Sequence, residues 1–160
     1  MSTIDAPLPA APTVPGAAPR LLVVRAPYYR EVVDGMTAGA ARILADAGAT
    51  HETLDVAGAF ELSQAIRLVL RGSNRFDGYI ALGCIVRGET DHYDHICRES
   101  MAGLMHVALQ YGLALGTGLL TVHDIGQAVA RSGADGHNKG AEAASAALRQ
   151  IAIARQMGAA

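Results

Sequence analysis

The sequence predicts an α/β fold in which a four-stranded parallel sheet lies between two layers of helices, a three-layer α/β/α sandwich. Two observations support this prediction. Beyond residue 19, short aliphatic runs alternate with longer segments of helical periodicity, in the order β-α-β-α-β-α-β-α. The chain has 160 residues, which suits a single domain with one hydrophobic core. We therefore expect one domain over residues 20–160.

Residues 1–19 differ from the rest of the chain because they contain five of its six prolines. Proline fixes φ and has no amide hydrogen to donate. We therefore expect residues 1–19 to form an extended, flexible tail.

The first half of the domain shows two strand–helix pairs. Residues 21–24 form a short aliphatic run that is typical of a strand buried on both faces. Apolar residues then recur at helical spacing from Val32 to Leu44, and Ala47-Gly48 marks the end of that helix. The next strand and helix are predicted over residues 50–56 and 60–70.

The second half continues the alternation. The third strand is predicted over residues 79–82 and a long helix over residues 92–111. The fourth strand, a short helix and a final alanine-rich helix are predicted over residues 115–121, 124–130 and 138–156.

The composition argues against several classes of partner. The formal net charge is −2 and tryptophan is absent, so the basic surface and stacking aromatics of a nucleic-acid-binding protein are not expected. No apolar run approaches the length of about 20 residues that a membrane-spanning helix needs. Cys84 and Cys97 do not form a CxxC pair, so we expect free thiols in a reducing cytoplasm.

The segment from Leu82 to His92 is the most informative for chemistry, because sites in parallel sheets form in loops after the carboxyl ends of strands. It contains two glycines, and Thr90 and His92 lie at a predicted helix start. Backbone amides there bind anions, and a histidine can transfer protons near neutral pH. The combination favours acid–base chemistry on a phosphate-bearing substrate. A glycine-rich turn capped by Thr90 is the structural alternative.

A second candidate site lies near the final helix. Arg131 and Lys139 flank a glycine-containing loop, and two cations near one loop can hold a phosphate. The alternative is a solvated connection between two helices.

Two further loops carry candidate binding residues. In the segment 58–61, small residues would let a ligand approach the backbone, and Glu61 could accept hydrogen bonds from sugar-like hydroxyls or simply favour a helix start. Tyr28 and Tyr29 follow the first strand, where an aromatic ring can stack on a flat heterocycle or cover the end of the sheet.

A cluster of potential metal ligands begins the long helix, namely Asp91, His92, Asp94 and His95. His92 and His95 are three residues apart, so one helix face would carry both. The spacing matches no complete metal site, so a metal-dependent hydrolase is the weaker hypothesis.

Taken together, these segments resemble the lumazine synthase family. The resemblance covers residues 20–157, and its most specific feature is Arg-Gly-Glu-Thr-x-His followed downstream by Asn-Lys-Gly. The matching pieces, in family order and spacing, are residues 58–61, 82–90, 92, 120–121, 127–128, 131 and 138–144. The resemblance implies a flavodoxin-like fold.

The resemblance also implies a reaction. Family members condense 5-amino-6-(D-ribitylamino)uracil with 3,4-dihydroxy-2-butanone 4-phosphate to give 6,7-dimethyl-8-ribityllumazine, the penultimate step of riboflavin biosynthesis. The enzyme would be a transferase for two small molecules, without a metal or organic cofactor. Much of its acceleration would come from holding both reactants in the right geometry.

Matching positions imply the residue roles. His92 would move protons, and Arg131 and Lys139 would act at the phosphate together with the amides of residues 88–90. Tyr28 occupies the place of the family's stacking aromatic. The implied substrate contacts are Tyr28, Gly58, Ala59, Phe60, Glu61, Cys84, Ile85, Val86, Gly88, Glu89, Thr90, Thr117 and Arg131.

The resemblance further implies an assembly. Family members form homopentamers, some pack twelve pentamers into an icosahedral shell, and each site lies between neighbouring subunits. Thr117, Arg131 and Lys139 would be contributed across that boundary. We therefore expect a cytoplasmic homo-oligomer that is inactive as a monomer, with riboflavin synthase as a candidate partner and no nucleic-acid or membrane partner.

The chain departs from the family pattern at several positions. Pro27-Tyr28-Tyr29 replaces an Arg-Phe-Asn type of loop, and Thr117 replaces a residue that is often aromatic. These changes bear on affinity more than on reaction type. Two alternatives differ in class: a catalytically idle relative that binds flavin or lumazine, and a purely structural shell protein.

Overall fold

The computed structural model describes residues 7–72, 75–134 and 136–159. Four parallel strands form one sheet in the order β2-β1-β3-β4. The strands are β1 (Arg20–Ala26), β2 (Thr50–Asp55), β3 (Gly78–Val86) and β4 (Leu115–Val122). The helices are α1 (Arg30–Asp46), α2 (Leu62–Arg71), α3 (His92–Tyr111), α4 (Ile125–Val129) and α5 (Lys139–Gln156). The predicted three-layer α/β/α fold with a four-stranded parallel sheet is confirmed.

The two faces of the sheet carry separate cores. Leu21 and Val23 of β1 pack with α1 and α5 on one face. Leu22 and Val24 pack with α2 and α3 on the other face. Successive side chains of a strand point to opposite faces, so a strand covered on both sides is apolar at every position. Within the described ranges, none of the helices is both long and apolar enough to cross a membrane.

Helix α5 lies very close to its neighbours, and this fixes where its first residue stands. A Cβ atom at Gly140 would be 1.8 Å from the carbonyl oxygen of Met36, and one at Gly116 would be 1.9 Å from that of Ala143. Only glycine permits such approaches of backbone to backbone. The alanine-rich composition of α5 permits the same close packing, which places Lys139 at its start beside α1 and β4.

Strand β3 is longer than predicted. The sequence places a loop after Leu82, whereas residues 83–86 continue the strand, with Ile85 paired to Thr121 and Val86 paired to Val122 of β4. Gly83 and Cys84 interrupt the aliphatic run, so the run alone underestimates the strand. The other elements begin and end within about two residues of their predicted bounds, which is the usual uncertainty of element ends.

The described part of the predicted tail, residues 7–19, forms no helix or strand but contacts α5. The hydroxyl of Ser145 donates to the carbonyl oxygen of Ala10 at 2.8 Å. Arg155 Nη1 donates to the carbonyl oxygens of Pro15 at 2.8 Å and Ala17 at 2.6 Å. These contacts hold the segment against α5, although most of its described residues are exposed. Residues 1–6 lie outside the described residues.

Candidate active site

Two cavities contain almost all of the predicted site residues. The first cavity has a volume of about 540 Å³ and lies at the carboxyl ends of β1, β2 and β3. The chain leaves β1 towards β2 on one side and returns to β3 on the other, which is the position where open α/β sheets bind ligands. The residues that line the first cavity are Tyr28, Tyr29, Gly58, Ala59, Phe60, Glu61, Cys84, Ile85, Val86, Gly88, Thr90, His92, Tyr93 and Ile96.

The turn after β1 supplies two aromatic rings to the first cavity. Pro27 opens the turn, and the rings of Tyr28 and Tyr29 meet edge to face with centroids 5.1 Å apart. Tyr29 is half-buried against the core, and this burial is the main cause that raises its pKa, followed by Tyr28 and Cys84. Tyr28 is 78% exposed, so its ring is open to a flat ligand.

The turn after β2 places an aromatic ring beside a carboxylate. Gly58 is extended, and a Cβ atom there would be 3.2 Å from Glu61 Oε2, so the glycine leaves room for that carboxylate. Phe60 is 46% exposed and Glu61 is half-buried. An open ring next to a hydrogen-bond acceptor suits a ligand that has a planar part and hydroxyl groups.

The end of β3 forms an apolar wall through Cys84, Ile85 and Val86. Cys84 is 5% exposed, and burial raises the pKa of its thiol from 9.0 to about 11. The thiol is therefore protonated at neutral pH. Because the thiolate is the reactive form of cysteine, Cys84 presents an unreactive neutral side chain to the cavity.

The start of α3 brings His92 into the same cavity. His92 is the first residue of the helix and is exposed, with Gly88 and Thr90 lining the cavity just before it. The N-cap position belongs to Asp91, whose side chain makes no capping hydrogen bond. Glu89 is exposed and lines neither cavity.

Two lining residues, Tyr93 and Ile96, are not predicted from the sequence, and Tyr29 is a candidate aromatic there but not one of the contacts that the resemblance implies. The Tyr93 ring lies 5.2 Å from the guanidinium carbon of Arg87. Tyr93 and Ile96 are three residues apart on α3, which places them on one helix face. That spacing is the signal in the sequence that could have identified both.

The second cavity has a volume of about 210 Å³ and lies along β4. Arg131 Nη1 donates to the carbonyl oxygen of Gln127 at 2.8 Å, and Lys139 Nζ pairs with Glu142 Oε2 at 2.6 Å. Two cations in one concavity form a suitable site for a multiply charged anion. The lining residues are Thr117, Gly118, Leu119, Leu120, Thr121, Val122, Arg131 and Lys139.

The two cavities share no lining residue. Within one chain, His92 therefore lies in the first cavity, whereas Thr117, Arg131 and Lys139 lie together in the second. The two predicted phosphate cations and the predicted proton shuttle therefore line different cavities, although Ile85 and Val86 of the first cavity pair with Thr121 and Val122 of the second.

In the described part of the chain, no group of three or more His, Cys, Asp or Glu side chains could hold a metal ion. The metal-site hypothesis therefore has no ligand set there. His92 and His95 are both exposed on α3. Asp94 instead pairs with Arg87 at 3.4 Å.

Comparison with known proteins agrees with this geometry. The family model of 6,7-dimethyl-8-ribityllumazine synthase matches residues 18–155, which include both cavities. A protein of that name from Paramagnetospirillum magneticum is 43% identical over 145 residues, covering 87% of this chain and 97% of the relative. Relatives of the same name from Bartonella tribocorum and Sphingopyxis alaskensis are 39% and 43% identical, covering 88% and 86% of this chain and 93% and 96% of their own. The predicted resemblance is thus confirmed, and the chain belongs to the 6,7-dimethyl-8-ribityllumazine synthase family.

Proposed function

We propose that the protein is a transferase that condenses 5-amino-6-(D-ribitylamino)uracil with 3,4-dihydroxy-2-butanone 4-phosphate to give 6,7-dimethyl-8-ribityllumazine, phosphate and water. One observation carries the proposal. A cavity large enough for a bicyclic product is lined by aromatic, carboxylate and imidazole groups, in a chain that aligns with lumazine synthases over nearly their whole length.

The first cavity would hold the pyrimidine. Tyr28 and Phe60 offer exposed rings for stacking, and Glu61 offers a carboxylate to the hydroxyls of the ribityl chain. The neutral Cys84 adds an apolar surface without competing as a nucleophile.

His92 would move protons in the same cavity. The amine of the pyrimidine adds to the ketone and water leaves, giving an imine. Removal of a carbon-bound proton then allows phosphate to leave, and the second amine closes the ring with loss of another water. An exposed imidazole at the cavity can take and return the protons of these steps.

The second cavity would hold the phosphate of the ketone. Arg131 provides a planar fork of donors and Lys139 a compact positive charge, which are the usual partners of a phosphate group. The amides of residues 88–90 before α3 would approach the same phosphate from the first cavity. Thr117, a short side chain where a larger aromatic is common, would leave this wall more open.

In this assignment an oligomer completes the site, because His92 and the two cations line different cavities of one chain. The first cavity of one subunit would meet the second cavity of its neighbour around a homopentamer, and pentamers could pack further into a shell. Helix α3 has an apolar stripe at four-residue spacing, with Met101, Met105 and Leu109 40%, 60% and 75% exposed, which suits burial between copies. The two described cysteines are free, as expected in the cytoplasm, where riboflavin synthase would use the product.

The direct test is absorbance-monitored formation of the lumazine from the two substrates in the presence of a chelator. The wild-type protein should form product well above the uncatalysed rate. His95→Ala is a matched control for His92→Ala, because His95 is exposed on α3 but lines neither cavity. A wild-type protein that assembles yet makes no lumazine would instead support an idle flavin-binding or shell-forming relative.

A further inference from the structure

The loop between Arg131 and Lys139 closes around a buried asparagine. Asn138 is 3% exposed, and its Oδ1 atom accepts hydrogen bonds from the backbone N–H groups of Gly140 at 2.9 Å and Ala141 at 3.0 Å. These two bonds cap α5. Serine and aspartate cap helices equally well, so capping alone does not require asparagine here.

The amide nitrogen of Asn138 donates hydrogen bonds that a serine or an aspartate at this position could not all provide. Its Nδ2 atom donates to the carbonyl oxygens of Ser132 at 2.9 Å, Gly133 at 3.0 Å and Gly35 at 3.0 Å. The carboxamide has two hydrogens, which the three acceptors share, whereas a serine offers one hydrogen and an ionised aspartate none. The side chain therefore joins the loop, the start of α5 and helix α1.

Helix α1 is shaped to admit this side chain. A Cβ atom at Gly39 would lie 2.2 Å from Asn138 Oδ1, and one at Gly35 would lie 2.5 Å from the carbonyl oxygen of Ser132. Any side chain at either position would push the asparagine or the loop away from α1.

The hydrogen bonds of Asn138 lie next to Arg131 and Lys139, the two cations of the second cavity. Ser132 and Gly133 directly follow Arg131, and Lys139 directly follows Asn138. Carbonyl oxygens carry partial negative charge, so any that turned towards the cavity would oppose an anion there. Asn138 engages these oxygens with its amide group, and so ties the residues after Arg131 to the residue before Lys139.

We infer that Asn138 is a positioning residue for phosphate binding, which holds Arg131 and Lys139 at the spacing that a phosphate group needs and keeps loop carbonyl oxygens away from it. The inference rests on the proposed function, in which the second cavity takes the phosphate of the ketone substrate. Asn138 itself is buried and lines neither cavity.

The variant Asn138→Ser separates capping from positioning, because serine keeps the acceptor for α5 but lacks the two amide hydrogens. We expect the KM for the butanone phosphate to rise about tenfold while the KM for the pyrimidine stays within about twofold. Equilibrium titration with inorganic phosphate should show a parallel loss of affinity of about tenfold.

Ser132→Ala is the matched control. It removes a hydrogen bond of 3.2 Å to the carbonyl oxygen of Val129 in the same loop, but it leaves the partners of Asn138 Nδ2 in place. We expect both KM values and the phosphate affinity of Ser132→Ala to remain those of the wild type. If general loosening of the loop caused the effect of Asn138→Ser, Ser132→Ala would show a similar effect.

Gly39→Ala provides an independent test if Asn138→Ser does not fold. Alanine favours the helix α1, yet its Cβ atom displaces Asn138 without changing residue 138. The same selective rise in the KM for the butanone phosphate is expected. Equal changes in both KM values, or an unchanged phosphate affinity in every folded variant, would overturn the inference. A wild-type protein that binds phosphate but makes no lumazine would overturn the proposed function alone.

Discussion

The backbone N–H of Lys139 donates a hydrogen bond to the carbonyl oxygen of Arg131 at 2.9 Å, which closes the loop that separates them in sequence. Both side chains consequently line one cavity. Their present partners differ, because Lys139 pairs with the carboxylate of Glu142 and Arg131 with the uncharged carbonyl of Gln127. A bound phosphate would compete with Glu142 for the lysine but would meet no such competitor at the arginine. We therefore expect Arg131 to contribute more to phosphate binding.

The first prediction concerns Arg131→Lys, which keeps the charge but removes the planar fork. The kcat/KM for the butanone phosphate should fall about a hundredfold, since a lysine cannot form two parallel hydrogen bonds to one phosphate. Steady-state kinetics with each substrate varied in turn provide the measurement. Arg149→Lys, on the exposed side of α5, is the control. A kcat/KM equal to that of the control would remove Arg131 from the phosphate site.

The second prediction concerns His92→Ala. Because a positioned acid–base group contributes about a hundredfold or more to rate, kcat should fall by at least that factor with little change in either KM. Added imidazole should restore part of the lost rate, since it can enter the space at an exposed side chain. If kcat were unchanged, or if His95→Ala caused the same loss, proton transfer would belong to another group.

The third prediction concerns the stacking aromatic of the first cavity. Tyr28→Ala should raise the KM for the pyrimidine about fivefold and leave that for the butanone phosphate unchanged, because an aromatic pair contributes roughly 1 kcal/mol beyond its buried area. Tyr28→Phe should behave like the wild type, since the ring at this 78% exposed position is what the ligand would contact. A loss of affinity in Tyr28→Phe would show instead that the hydroxyl is required.

The fold could be predicted where apolar periodicity matches an element. Helix α3 is predicted at residues 92–111 and is observed at His92–Tyr111. The extension of β3 to Val86 could not be predicted, because it depends on pairing with β4 through Ile85 and Thr121 and not on a local pattern. The contacts of residues 7–19 are also non-local, since Arg155 reaches Pro15 across most of the chain.

The candidate site also has a part that local sequence patterns predict and a part that depends on non-local contacts. Loops after strands identified Tyr28, Phe60 and the residues before His92, because topology brings strand ends together. The contacts of Asn138 could not be predicted, since its amide donates to Gly35, 103 positions earlier in the sequence. A sequence motif indicates that such a residue matters, but only the packing of α1 against α5 shows what it holds.

The fourth prediction is a pH dependence of stability that arises at Cys84. Burial raises the pKa of this thiol from 9.0 in the unfolded chain to about 11 in the fold. The folded state therefore keeps a proton that the unfolded state has released, and the free energy of unfolding falls as pH rises from 9 towards 11. The contribution is fully present below the unfolded value and is lost as pH passes through the folded value.

Cys84→Val removes this titration. In urea unfolding between pH 9 and pH 11, the wild type should lose stability more steeply than the variant, because the two proteins differ only in the thiol. The variant should keep a kcat near that of the wild type, because a protonated thiol supplies no nucleophile. Parallel stability curves would mean that the thiol ionises in the fold as easily as in the unfolded chain.

The fifth prediction concerns assembly, which decides whether one chain or two complete the site. His92→Ala damages the first cavity and leaves the second intact, and Arg131→Ala does the reverse. If each site forms between neighbouring subunits, oligomers that mix the two chains contain boundaries where both halves are intact. Random mixing in equal amounts makes about a quarter of the boundaries intact, because each half is correct with a probability of about one half.

Co-expression of the two chains with different tags, followed by purification through both tags, provides the mixed oligomers. Their turnover per subunit should recover to about a quarter of the wild-type value, although each variant alone is nearly inactive. The control pairs the double variant with His92→Ala, a mixture in which every first cavity lacks its imidazole, so kcat should stay as low as in His92→Ala alone. If the first mixture also stayed inactive, both cavities would have to act within one chain and not across a boundary with a neighbour.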